Sequence, residues 1–467
     1  MTDTPEPGEL DLDEITVMAI NDHVRAVAAP VTRDLYRREA DTLLRSYLEP
    51  PGFPEAVRRL SMRHLLVLVG EEGTGKRLGA IALVSRMSLA ESTITVLSPA
   101  GTVLDLLTGT EYEPGRAYLL HDWIAAGTDR TELANLARKL AELGSYLVIT
   151  RNGAPSQAVE VEQPWAVPDP GELFDFCLST FGRAGLPRER LDRARDRVLA
   201  APPPPAEVAR LATRLARGEE PVVEEVVSWF DTKPPMREVL AVAALAFLHP
   251  LAEADFTAQL ARLYELSDEP VGRPPRGPLI NASEGVVDFR VPRHREEVLA
   301  ELAGRYGFWL WQPLREWVRS LAGQGSGVRM RAAAGVAALA AYSLKDVRQE
   351  FLEVWARGSG RERLAAADAL SYMSADDTLA PEALKLALTW AGDPGAAVCA
   401  SVALCGGLSI RYPADAVRIL WRLASDGGPA AKQAGRALEL LTKHAGERDD
   451  AQARLVTTLA ATLSERR

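Results

Sequence analysis

The sequence predicts an α/β core with a parallel sheet covered on both faces, followed by all-α segments. Three observations carry this. Apolar strand-like runs alternate with helical patterns from residue 64 to about 162. A glycine-rich turn joins the first of those runs to a helix. An Ala-Leu pair then recurs at 338–339, 369–370, 403–404 and 437–438, in steps of 31, 34 and 34.

The elements follow in order. Residues 1–14, "MTDTPEPGELDLDE", are acidic and proline-bearing and read as a disordered tail. Residues 15–60 read as a helical segment, with "RDLYRREADTLLRSYL" at helical spacing and "EPPGFP" breaking it. The α/β core is expected over 61–168, its strands at "HLLVLVG", "STITVLS", "RAYLLHD", "SYLVITR" and "AVEVEQ". Strands alternating with helices of this length imply crossover connections and a parallel sheet. Residues 169–231 turn wholly helical, interrupted by "GLP" at 185–187 and by four prolines at 202–205. Over 232–307, two helical stretches, the short strand "GVVDFRV" and a further helix suggest a winged-helix-like domain.

Residues 308–467 are alanine-rich. Trp355, Trp390 and Trp421 each follow the Ala-Leu leucine by 16 to 20 residues. Stacked helical hairpins of HEAT-like type explain this spacing: small residues let one helix pack closely, and the large ring fills the space between units. One irregular helical bundle is the alternative.

At 467 residues the chain is too long for one core. The apolar fraction of 47% and charged fraction of 25% are those of a globular protein. A net charge of −10 argues against wholesale nucleic-acid binding. Cys177, Cys399 and Cys405 have no metal or redox spacing and suit a reducing cytoplasm. No apolar run is long enough to span a membrane, and the acidic start is unlike a signal peptide. A cytoplasmic location is expected.

The chemistry concentrates in "LLVLVGEEGTGKR". Gly70, Gly73, Gly75 and Lys76 fit G-x-x-x-x-G-K, with a strand before and a helix after. Such a loop aims backbone N–H groups and a helix N-terminus at one anion, and its lysine adds a point charge. Only seven of the 54 basic residues are lysine, which singles out Lys76. Thr74 completes the loop. Arg77 stands where magnesium-dependent enzymes carry Ser or Thr; a guanidinium cannot coordinate magnesium but can pair with phosphate oxygens. Asp122, after four apolar residues, is the candidate acid for magnesium and catalysis, and Trp123 follows it where a water-orienting carboxylate often stands. An ordinary strand-helix turn and a strand-end aspartate are the plainer readings of the two motifs.

With "SYLVITRNG" the chain resembles the STAND class of signalling P-loop NTPases, within the AAA+ group. In relatives of the NB-ARC type a Thr-Arg ends the fourth strand and senses the γ-phosphate; Thr150 and Arg151 match that position. The resemblance extends in outline to a helical lid, a winged-helix segment and repeats that sense a partner. It implies a switch binding ATP or ADP, with weak magnesium binding and slow or absent hydrolysis. It also implies a protein partner on the repeats, with self-assembly left open. A winged-helix histidine contacts ADP in NB-ARC proteins, and His294 is the only match, without the Met-His-Asp context. A surface histidine at a helix start is the plainer reading. The "GLP" at 185–187 precedes the lid helix and is not carried over. Few residues precede the phosphate loop for the effector such proteins carry. Two other readings are a nucleotide-free interaction scaffold, and a DNA-associated regulator using "RPPRGP" and "RVPRHR".

Overall fold

The computed structural model describes residues 14–27, 33–71, 73–87, 93–97, 112–121, 130–155, 161–182, 188–200, 202–216, 225–272, 277–283, 285–306, 308–376, 378–448 and 451–465. Contacts divide the chain into two units, Pro30–Val223 and a second formed by Met1–Ala29 with Glu224–Arg467.

The first unit is built on a six-stranded sheet. Its strands are β1 (Arg33–Leu35), β2 (Leu65–Gly70), β3 (Ile94–Val96), β4 (Ala117–Leu120), β5 (Tyr146–Asn152) and β6 (Glu162–Pro164), in the order β1-β3-β4-β5-β2-β6. β3 to β6 and β2 are mutually parallel, and β1 pairs antiparallel with β3 at the edge. The unbroken run "LLVLV" results from its place. β2 is central and every side chain from Leu65 to Val69 is buried, so no polar alternation is tolerated.

Leu66, Leu68 and Val148 face the helices Phe53–Arg63 and Lys76–Met87 through Ala56, Leu60, Leu83 and Val84. Leu65, Val67, Val69 and Ile149 face the helix Arg130–Leu143 through Leu133, Leu136 and Leu140. The sheet is therefore covered on both faces. Truncating one of these leucines to alanine costs about 2–5 kcal/mol.

Beyond β6, Asp169 accepts a hydrogen bond from the Glu172 amide at 2.8 Å and caps the helix Pro170–Phe181. That helix packs with Arg188–Ala200 and Pro205–Ala216 around Phe174, Cys177, Val208 and Leu215.

The second unit is mostly helical. The helix Met236–Leu248 is buried at all ten positions from Val239 to Leu248. It is followed by β7 (Leu251–Ala252), the helix Glu253–Leu266, β8 (Ile280–Ser283), β9 (Val286–Phe289) and the helix His294–Arg305. The three strands form an antiparallel sheet in the order β7-β9-β8. The helices bearing the Ala-Leu pairs, Ser326–Val347, Gly360–Met373, Ala397–Cys405 and Ala431–Gly446, pack each on the next. Trp355 and Trp390 are fully buried between helices, and Trp421 is half-buried.

Two expectations need correction. Residues 33–35 are not helical: Leu35 is fully buried on the sheet, and the helix starts at Arg37, beyond exposed Tyr36. The helix Glu14–Val27 belongs to the helical unit and not to the sheet unit that begins at Pro30. Its stripe Ile20 and Val24 packs on Ile410, with Met330 and Tyr372 beside it. Amphipathic spacing fixes which face is covered, not by what. Among the described residues no helix is long and apolar enough to cross a membrane.

Candidate functional site

The site grows from the carboxyl end of β2, the edge of an open parallel sheet where ligands collect. The chain leaves Gly70, turns, and starts a 12-residue helix at Lys76. Gly73 and Gly75 have φ of 75° and 80°, a region L side chains enter at a cost of about 1–2 kcal/mol. The helix can then begin directly over the strand end. The amides of its first turn have no intrahelical acceptor, the feature by which helix starts bind anions.

Lys76 is 5% exposed. Its Nζ donates to the Gly70 carbonyl at 3.0 Å, to Thr74 Oγ1 at 3.2 Å and to the Glu71 carbonyl. Thr74 Oγ1 donates in turn to the Glu71 carbonyl at 2.9 Å. The loop thus closes around its own ammonium, which is desolvated yet held by three oxygens. Arg77 is half-buried in the first helical turn.

Two features around the loop were not read from the sequence. A Cβ on Gly79 would lie 2.2 Å from Trp165 Cζ2, so the helix rests directly on that indole. A Cβ on Gly73 would lie 3.5 Å from Pro204 Cβ, so the proline run abuts the loop. The run reads in the sequence as an interruption between helices; its rigidity was the available signal.

β5 aligns with β2 so that Thr150 pairs with Leu68, Arg151 with Val69 and Asn152 with Gly70. Thr150 is fully buried on the face of the helix Lys76–Met87. Side chains alternate along a strand, so Asn152 shares that face at the level of the loop, while Arg151 lies on the opposite one. Arg151 Nη2 donates to Glu162 Oε1 at 2.7 Å and to the Ala154 carbonyl at 3.4 Å, and its Nε is buried without a partner. Glu162 and Asn152 were missed because neither is part of a recognisable motif.

The structure therefore gathers Gly70, Gly73, Thr74, Gly75, Lys76, Arg77, Thr150 and Arg151 at one end of the sheet unit. Asp122 and Trp123, and "GLP" at 185–187, lie outside the described residues. His294 belongs to the other unit, and its reading as a surface residue is wrong. With Val298 and Leu302 it forms the buried stripe of its helix, and its Nε2 lies 3.4 Å from Glu225 Oε2. Its side chain is 1% exposed, so in this state the ring is closed to a ligand.

The arrangement sets the amides of a helix start beside one ammonium, whose protons are given to the loop's own oxygens. The chain matches no family model and no curated protein.

Proposed function

We propose that the protein is a nucleotide-binding switch of the STAND type, holding ATP or ADP at the loop Gly70–Arg77 with slow or absent hydrolysis. The observation that carries this reading is the enclosed Lys76 ammonium inside a loop of two positive-φ glycines, at the start of a helix. That combination is costly to build: a desolvated cation and two ordered glycines have a use once an anion completes the cage. The sheet order, with β2 between β5 and β6, supports a P-loop NTPase core.

In this reading Lys76 and the amides hold the β- and γ-phosphates, Arg77 adds charge, and Asp122 takes any magnesium. Arg151 reports the γ-phosphate. A guanidinium in place of a hydroxyl leaves magnesium with one ligand fewer, so turnover is slow. The helices that pack each on the next in the second unit support a HEAT-like array, which would receive a protein partner in the cytoplasm. The sheet β7-β9-β8 with its flanking helices supports a winged-helix-like segment within the second unit.

The test is calorimetric titration with ATP and ADP, with and without magnesium, on the full chain and on Lys76→Ala. The expected result is saturable binding that survives chelation of magnesium and is lost in the variant. Vigorous magnesium-dependent hydrolysis would overturn the slow switch.

A second reading, a nucleotide-free interaction scaffold, is favoured by one observation: Lys76 already has three oxygen partners from its own loop, and Pro204 lies against Gly73. Absence of any heat or thermal shift with every nucleotide, for wild type and Lys76→Ala alike, selects it.

A further inference from the structure

We propose that the bend in the helix Ser326–Val347 forms a pocket for a small organic cation, an aliphatic amine or guanidine with a short apolar chain. The helix is broken at Ser343, whose φ and ψ of −153° and 59° are not helical. Five residues later the chain makes a π-helical turn, Arg348–Leu352. The facing helix Phe308–Leu321 carries Pro313 in its interior. Each irregularity breaks the regular hydrogen-bond ladder, and a π-turn inside a helix marks functional sites more often than chance. Ser343 and the π-turn residues Glu350 and Phe351 line one cavity of about 220 Å³, to which the helix Phe308–Leu321 contributes Trp311 and Arg315.

Its walls supply both halves of an amphipathic cation's needs. Leu339 and Phe351, each 2% exposed, and half-buried Trp311 form the apolar part. The charged part is Arg315, Asp346 and Glu350, with Arg319 behind Glu350. Glu350 is fixed: its carboxylate accepts from Arg315 at 3.2 Å and from Arg319 at 2.6 Å, and Arg319 also donates to its carbonyl at 2.7 Å. An anionic ligand would have to take Arg315 from that pair. Asp346 is exposed at the mouth and accepts only from the Ser343 hydroxyl at 2.6 Å, with no cation beside it among the described residues.

Glu350 is matched by two guanidinia, so the carboxylate without one is Asp346 at the rim, while the interior is lined by Leu339, Phe351 and Trp311. The indole of Trp311 adds attraction for a cation. A volume of 220 Å³ is below the roughly 300 Å³ at which drug-sized pockets begin, so the ligand is small or is one side chain of a larger molecule.

The probes are n-butylguanidine, sodium pentanoate as an anion of like size, and N-acetyl-argininamide, titrated by calorimetry into the full chain at constant ionic strength. Saturable binding of n-butylguanidine is expected, with none of pentanoate. Asp346→Asn, an exposed and near-isosteric change, should weaken it at least about tenfold, as loss of a charge-assisted bond does. Ala303→Leu, which adds bulk to the cavity wall, should abolish it. N-acetyl-argininamide binding as tightly as n-butylguanidine identifies a partner's basic side chain as the source; tenfold weaker binding identifies a free small cation. Both sustain the pocket. Binding of pentanoate equal to that of n-butylguanidine, no saturable binding, or an unaltered Asp346→Asn overturns it. None of these outcomes depends on nucleotide.

Discussion

Arg151 Nη2 stands 2.7 Å from Glu162 Oε1, and the two side chains differ tenfold in exposure, 21% against 2%. The carboxylate is the member that has given up its water. Removing either partner therefore has unequal consequences. Arg151→Met leaves a deeply buried carboxylate without its guanidinium and is expected to cost about 3–5 kcal/mol. Glu162→Gln leaves a guanidinium that can still reach solvent and should cost about 1–2 kcal/mol. Urea unfolding of the two variants measures the difference. Equal losses, or a larger loss in Glu162→Gln, would show that the pair is not asymmetrically desolvated. In the nucleotide reading, Glu162→Gln should also tighten ATP relative to ADP, because the carboxylate no longer competes for Arg151.

The Gly79–Trp165 contact sets the seat of the phosphate-loop helix. An alanine at an exposed helix position replacing glycine ordinarily gains about 1 kcal/mol. Here the added methyl would lie 2.2 Å from the ring, so Gly79→Ala should instead lose about 1–3 kcal/mol as helix and indole separate. The coupling is checkable by a double-mutant cycle. In a Trp165→Leu background the same Gly79→Ala change should cost at least about 1 kcal/mol less, and additive losses would mean that the ring is not the obstacle.

These contacts mark where the sequence stops being legible. "LLVLV" and "YLVIT" announce buried parallel strands because both faces are covered, and the spacing of the Ala-Leu pairs announces repeated helix packing. Local chemistry carries that much. β1 is three residues long and pairs with a strand some sixty residues away, so no local pattern distinguishes it from the helix after it. Glu162 and Pro204 reach the loop neighbourhood only through the fold, and no spacing rule connects residue 162 to 151 or residue 204 to 73. His294 misled for a related reason: the i, i+4, i+8 stripe His294, Val298, Leu302 is legible only once the histidine is counted as an interior residue. The loop glycines were readable because their positive φ is a backbone requirement, written directly in residue type.

In the helical unit, Gly335 is the close-approach point between Ser326–Val347 and Met236–Leu248. A Cβ there would lie 2.6 Å from the Phe247 carbonyl oxygen and 2.7 Å from its Cα, which are backbone atoms that cannot swing aside. Gly335→Ala should therefore destabilise by about 2–3 kcal/mol despite its better helix propensity. Gly435, in a later Ala-Leu helix, has open space around the same position, so Gly435→Ala is expected to be neutral or stabilising by up to about 1 kcal/mol. Thermal unfolding of the pair decides it, and a common sign for both would remove the packing explanation.

His249 connects the same unit to pH. Its Nδ1 lies 2.8 Å from Asp288 Oδ1, yet burial lowers the imidazole pKa below the usual value, and Arg295 and Arg331 push it the same way against Asp288. The ring is neutral in the fold at pH values where an unfolded histidine, near 6.5, has begun to take a proton. Between those two pKa values the unfolded chain binds more protons, so stability rises with pH and falls on acidification from about 7. Below the folded pKa the loss levels off. His249→Gln removes this one proton while keeping a polar side chain of similar reach toward Asp288. At pH 8 both proteins carry a neutral group there, and any gap between their urea midpoints reflects packing alone. At pH 5.5 the wild type should have lost more stability than the variant, narrowing or reversing that gap. If the gap is the same at both pH values, desolvation does not govern His249, and the ion pair with Asp288 cancels it.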